Sequence, residues 1–137
     1  MNAEQHLGII RQIKKRIERK EREVERWHDA AYGIGYNMDG ERVQSSSSYD
    51  KMADAVVRFS DCESELTRLR ISIDVWTEIL LRETSELSNP DHGMVLEEYY
   101  IHCIPISSIA IEWGRTERHI KRIKKQALLE FARQYSD

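Results

Sequence analysis

The chain is 137 residues long, the size of one domain or of a small domain with an extension, which argues against elaborate multidomain schemes. Apolar residues make up 40% and charged residues 33%, with two prolines and six glycines, a balance that suits a helix-rich soluble protein. The net charge is −3, so the chain as a whole has no attraction for nucleic acid, and any such affinity must be local.

The N-terminus, MNAEQHLGIIRQIKKRIERK, has a short apolar patch followed by charges, the reverse of a secretory signal. No stretch approaches the ~18 apolar residues of a membrane span. The expected location is the cytoplasm, with no membrane partner. Cys62 and Cys103 are isolated and fall where helical periodicity turns inward, so they read as reduced core thiols rather than a disulfide or a metal pair.

Two heptad arrays fill the first two-thirds of the chain. His6, Ile10, Ile13, Ile17, Lys20, Val24, Trp27, Ala31 and Ile34 recur at alternating three- and four-residue spacing, which keeps them on one side of a helix. Met52, Ala55, Phe59, Cys62, Leu66, Leu69, Ile73, Trp76 and Leu80 form the second series. Between them lies NMDGERVQSSSS, where Asn37, Gly40 and four serines disfavour helix. Ser47 is the expected cap of the second helix, supported by Asp50 three residues on.

Two such helices and one short linker fold most simply into an antiparallel hairpin. A fold-back centred on Val43 opposes Ile34 to Met52, Trp27 to Phe59, Ile17 to Leu69 and Ile10 to Trp76. Each arm would be roughly 45 to 60 Å long at about 1.5 Å per residue. Leu7, Ile9, Val56, Val57, Ile71, Val75, Ile79 and Leu81 lie off this seam, so the hairpin is expected to pack on the C-terminal region, on a second copy, or on both. Lys20 on the seam has two readings: a stem that snorkels to water, or a polar residue that sets register.

SNPDHG at 88–93 marks the expected boundary between a hairpin domain, 1–88, and a C-terminal domain, 89–137. Asn89 is a good cap and Pro90 fits the first helical position. The next helix, roughly 91–102, would gather Met94, Val95, Tyr99 and His102 on one face before Cys103, Ile104 and Pro105 break it. A short helix with the stripe Ile106, Ile109, Ala110 and Trp113 then runs to Gly114, which suits the left-handed conformation that ends a helix. Thr116 caps a last helix whose inward face is Ile120, Ile123, Ala127, Leu128 and Phe131.

The outward face of that helix and its approach carry Arg115, Arg118, Lys121, Arg122, Lys124 and Lys125. Over 115–125 these six cations meet one acid, Glu117, a local excess of five positive charges in a chain of net −3. The run follows a glycine turn and a threonine cap, where the helix dipole also favours phosphate. A short helix, a tight turn and a basic helix are the parts of a helix-turn-helix that lays its second helix in the major groove. The expected architecture is thus all-α: a long helical hairpin followed by a helix-turn-helix.

The segment ISSIAIEWGRTERHIKRIKKQALLEF resembles region 4 of sigma-70-type RNA polymerase sigma factors. Ile109, Ala110, Gly114, Thr116, Ile120, Ile123, Ala127 and Leu128 fall at the signature positions of that family without a gap, and VLEEYYIHCIPISSIA resembles its preceding helix. Arg115 departs from the pattern, since that turn position is usually small and apolar. The first 88 residues do not resemble the promoter-melting or core-binding parts of a sigma factor. A long helical hairpin with such a C-terminal domain instead resembles small phage and prophage late-gene transcription regulators.

The resemblance implies double-stranded DNA as partner, RNA polymerase as a second one, and a homo-oligomer, a dimer before others. It places the base-reading surface on Glu117, Arg118, Lys121 and Arg122. Arginine and lysine suit guanine N7 and O6, and Glu117 suits the cytosine amine. Thr116, His119, Lys124 and Lys125 are assigned to phosphate; Arg115, where the chain departs from the pattern, either shifts local packing or adds a phosphate contact. Two other readings stand beside this one: a small terminase-like subunit for phage DNA packaging, and a helical module that binds an acidic protein.

An enzyme is not expected. His28 and Asp29 are adjacent, which on a helix points them to different sides. Gly33-Ile34-Gly35 lacks the strand and third glycine of a dinucleotide loop, and His102-Cys103 lacks companions at metal-ligand spacing. Neither a cofactor nor a metal is implied.

Overall fold

The computed structural model describes residues 2–33 and 46–135. Every regular element among them is a helix: α1 (Ala3–Leu7), α2 (Ile9–Tyr32), α3 (Ser46–Ser85), α4 (Pro90–Leu96), α5 (Ile106–Trp113) and α6 (Glu117–Tyr135). A π-helical turn, Glu97–Ile101, extends α4. The linker positions Ile34, Gly35, Asn37, Gly40 and Val43 lie outside the described residues. Among the described residues α3 begins at Ser46, with Ser47 in its first turn.

The chain divides into two compact units, Lys15–Ile71 and Met1–Lys14 with Ser72–Asp137. In the first, α2 and α3 pair along the apolar stripes. Ala31, Ala55, Cys62 and Leu66 are buried, and Ile17, Val24, Trp27, Phe59 and Leu69 are partly so. Arg70 reaches Glu21 at 3.0 Å, Cys62 Sγ donates to Glu23 at 3.1 Å, and the His28 and Phe59 rings lie 5.3 Å apart. Later residues of α2 meet earlier residues of α3, which makes the pairing antiparallel.

Met52 departs from its expected stripe and is exposed, as are the off-stripe residues Val57 and Ile71. Lys20 is partly exposed and carries its ammonium to two partly exposed carboxylates. Its ammonium lies 2.8 Å from Glu23 and 3.2 Å from Glu65, and the Glu23 hydrogen bond holds its pKa above the ordinary lysine value. The same bond, with help from Cys62, holds the Glu23 carboxyl low, while burial pushes the Cys62 thiol up. A lysine, two carboxylates and a thiol therefore satisfy one another at one level of the pair, where a shift of register would separate them.

The second unit begins with a capping box. Asn2 Oδ1 accepts from the Gln5 amide at 2.8 Å, and Gln5 Oε1 accepts from the Asn2 amide at 3.2 Å. Leu7, Ile10, Leu80, Leu87, Leu96, Tyr100, Ile101, Ala127 and Phe131 form one buried core. Residues from both sides of position 88 share it, so packing divides the chain elsewhere than at the SNPDHG punctuation. The reason is apolar area: Leu7, Ile10 and Leu80 are almost fully buried, and they are covered by residues of α4, the π-turn and α6. Val75, by contrast, stays half exposed.

Asn89 caps α4 by accepting from the Asp91 amide at 3.0 Å, and Pro90 occupies the first turn. Gly93 is required by close approach, since a Cβ there would lie 2.5 Å from the Thr84 carbonyl oxygen. The expected face of this helix holds in part: Val95 is buried and Tyr99 partly so. Met94 and His102 are exposed, and Gly93, Val95, Leu96, Tyr100 and Ile101 turn inward. Past α4, the π-turn, in which His102 donates to Glu97 five residues back at 3.0 Å, inserts one residue and shifts the periodicity at His102. Cys103 ends the turn in the left-handed region with φ 56°, partly buried, and so is not on the helix's inward face; Cys62 is buried, and both are free thiols.

Glu130 of α6 secures the start of α4, accepting from the Ser88 amide at 2.8 Å and lying 2.7 Å from His92 Nδ1. The His92 hydrogen bond, foremost, and the Ser88 amide hold the Glu130 carboxyl below its ordinary value of 4.5. A pKa lowered by folding contributes stability that is fully present above the unfolded value and is lost as pH falls through the folded one. Glu130→Gln is therefore expected to lower stability at neutral pH and to flatten the acid limb of unfolding below about pH 4.5, read by urea titrations at several pH values. An acid limb identical to that of the parent chain would remove this pair from the account.

Candidate nucleic-acid interface

α5 ends as its sequence predicts. Gly114 takes φ 64° and ψ 36°, its amide donates to Ile111 at 3.2 Å, and the Arg115 amide donates to Ala110 at 2.9 Å. These are the paired bonds of a Schellman closure, which glycine makes without the Cβ penalty of other residues. Two residues later Thr116 caps α6, its hydroxyl accepting from the His119 amide at 3.1 Å. Val95, Ile109, Ala110 and Ile120 form the small core that joins α4, α5 and α6. The angle at which α6 leaves the turn is therefore held by both backbone bonds and packing.

On α6, Ile120, Ala127 and Phe131 are buried and Ile123 and Leu128 partly so, which leaves the opposite arc to solvent. Arg115, Thr116, Glu117, Arg118, Lys121, Arg122 and Lys125 are all exposed. At about 100° per residue, Arg118, Arg122 and Lys125 lie near the middle of the outward arc, with Lys121 towards the flank that holds Lys124. An outward arc with this charge can approach phosphate or the edges of bases without unfolding anything.

Two of the residues assigned to phosphate are placed less freely. His119 is partly buried, and its Nδ1 accepts from Arg122 at 2.8 Å. It lines an open groove with Asp91, Met94, Glu98, Glu112 and Trp113. Trp113 donates its indole N–H to Glu98 at 3.2 Å; burial, and then hydrogen bonding with Glu112, raise the Glu98 pKa above the ordinary carboxylate value. Lys124 is also partly buried, with its ammonium 4.3 Å from the centre of the Tyr99 ring and 5.6 Å from that of Tyr100.

Tyr99 brings in a residue that helical spacing gave no reason to select. Arg11 of α2 lies 4.3 Å from the same ring centre and donates to the Tyr99 carbonyl at 2.9 Å. The two residues are 88 positions apart, and nothing in either local pattern signals the contact.

The remaining candidates fall outside this region. His28 Nδ1 lies 3.7 Å from Asp29 Oδ1, closer than adjacent helix positions lead one to expect, because both side chains are exposed and free to bend together. The distance is beyond hydrogen bonding. Gly33 follows the last residue of α2 and donates to Asp29 at 2.7 Å, as a helix end does. His102 is exposed and lies 3.2 Å from Glu97. Among the described residues no group of three or more His, Cys, Asp or Glu could hold a metal ion, and no helix is long and apolar enough to cross a membrane.

No protein-family model matches the chain, and no curated protein and no solved structure matches it significantly.

Proposed function

We propose that this chain is a sequence-specific DNA-binding transcription regulator, a region 4-like helix-turn-helix protein of the phage or prophage type that reads the major groove with α6. The observation that carries the reading is the frame around the basic helix. The Gly114 closure and the Thr116 cap start α6 at a defined angle, and Arg118, Lys121, Arg122 and Lys125 point to solvent from it. A helix held this way can place Arg118, Lys121 and Arg122 at base edges and Lys125 at phosphate with little loss of freedom on binding.

In this reading α5 crosses the DNA backbone while α6 enters the groove, and α2 with α3 form a helical hairpin that serves oligomerisation or contact with polymerase. The exposed Val57 and Ile71 on α3 are suited to such a contact. The protein is a binder and not a catalyst. In this reading the chain uses the reading part of a sigma factor to recruit or position other machinery on DNA.

Selection of bound sequences from a random duplex library tests the proposal. A palindromic consensus is expected if the chain acts as a symmetric dimer, and a single asymmetric site if it engages a promoter as sigma factors do. No enrichment of any duplex would end the DNA reading and return the basic helix to a protein-binding role.

A further inference from the structure

The π-turn gathers positive charge from α2 as well as from α6. Arg11 and Lys124 each approach the Tyr99 ring to 4.3 Å. The two charges are thus within about 9 Å of each other, close to one Debye length at physiological salt, where like charges still repel. Lys14, one turn beyond Arg11 and exposed, brings its ammonium to 3.6 Å from Cys103 Sγ at the end of the same turn. Among the described residues, none of the three cations lies within ion-pair distance of a carboxylate. Glu4 acts on Tyr100 through its charge, and Glu97 is engaged with His102. The Arg11 Nε is buried with no hydrogen-bond partner, so its position is set by the Tyr99 ring and carbonyl and not by an acid.

This cluster adjoins the helix-turn-helix surface. Lys124 lies one turn along α6 from Lys121, and residues three apart share a helix face. A band of positive charge therefore runs from Arg118 and Lys121 through Lys124 and the Tyr99 ring to Arg11 and Lys14. Its ends come from segments far apart in sequence, and the ring holds Arg11 and Lys124 in place before any ligand arrives.

We infer that Arg11, Lys14 and Lys124 form a second, sequence-independent contact with the phosphate backbone of duplex DNA, flanking the groove that α6 reads; the inference rests on the proposed DNA-binding function. Duplex DNA carries one negative charge per about 1.7 Å of axis, so a strand leaving the major groove along this band meets phosphates continuously. Phosphate relieves the repulsion between the clustered cations, and none of the three reaches for a base. The contact adds affinity and salt dependence but no sequence preference.

The test uses the full chain and a fluorescent random-sequence duplex of about 30 base pairs, titrated by anisotropy between about 50 and 200 mM salt. Lys14→Glu is the informative variant, because Lys14 is exposed and the Arg11 contacts with Tyr99 remain. It is expected to weaken binding by about tenfold at the middle of that range and to reduce the slope of log affinity against log salt by about one to two. Its preference among selected sequences should stay as in the parent chain. Unchanged affinity and slope for Lys14→Glu, with Arg118→Ala/Lys121→Ala still abolishing selectivity, would overturn the second contact and leave the proposed function standing. A parent chain that binds no duplex would overturn both. Competition by polyglutamate stronger than by duplex, and sensitive to Lys14→Glu, would reassign the band to an acidic protein.

Discussion

Replacing Arg118 and Lys121 together by alanine is expected to remove selective binding to whatever site the random duplex library yields. Both side chains are exposed on the outward arc of α6, so the exchange touches neither core and helicity by circular dichroism should not change. A bidentate contact from arginine or lysine to guanine is worth about 1 to 3 kcal/mol of discrimination, so losing two lowers affinity for the selected site by about 30-fold to 10⁴-fold. Random duplex should be affected far less, because phosphate contacts from the rest of the band persist. Lys125→Ala is the contrast: it should weaken all duplexes alike and reduce the salt slope by about one. Selectivity that survives the double exchange would take base reading away from α6, and with it the helix-turn-helix account.

Phe131→Ala is expected to give the largest loss of stability. The ring is 1% exposed in the core shared by α1, the end of α3, α4 and α6. Its centre lies 5.8 Å from that of His6 and 4.7 Å from that of Tyr135, whose hydroxyl donates to the Glu83 carbonyl at 2.9 Å. Removing a buried phenyl ring costs about 3 to 5 kcal/mol, from lost transfer energy and an unfilled cavity. Whole domains of ordinary size are stable by only about 5 to 15 kcal/mol, so this is a large fraction. The melting temperature should fall by on the order of 10 °C or more. Leu129→Ala, two residues away on the exposed face, should stay within about 0.5 kcal/mol of the parent. Equal effects from the two would mean that α6 does not bury the face described here.

The candidate interface was largely legible along the chain, since its framework is local. Gly114 and Thr116 act on amides one turn away, and the alternation of Ile120, Ala127 and Phe131 with exposed cations is a property of one helix. The positions of His119 and Lys124 were not legible. Both belong to the same charge run as Lys125, yet one accepts a hydrogen bond from Arg122 in a groove and the other lies over an aromatic ring. The inward face of α4 and its extension was misplaced in part, for a related reason. Periodicity assumes one rise per residue throughout, and the π-turn at Glu97–Ile101 inserts a residue that shifts the phase at His102, which is exposed.

By itself the sequence determined the helical character of the chain, the stripes along α2, α3 and α6, the start of α4 at Asn89 and Pro90, and the turn and cap that launch α6. All of these depend on groups within about one helical turn of each other, where covalent geometry leaves few choices. Only the tertiary structure decided that Leu7 and Ile10 share a core with Phe131, that Lys20 ends between two carboxylates, and that Arg11 and Lys124 meet on Tyr99. Those contacts join segments separated by tens of residues. Whether two segments meet is settled by which apolar faces cover each other, and a charged residue carried along by that packing leaves no mark in its own neighbourhood of the chain.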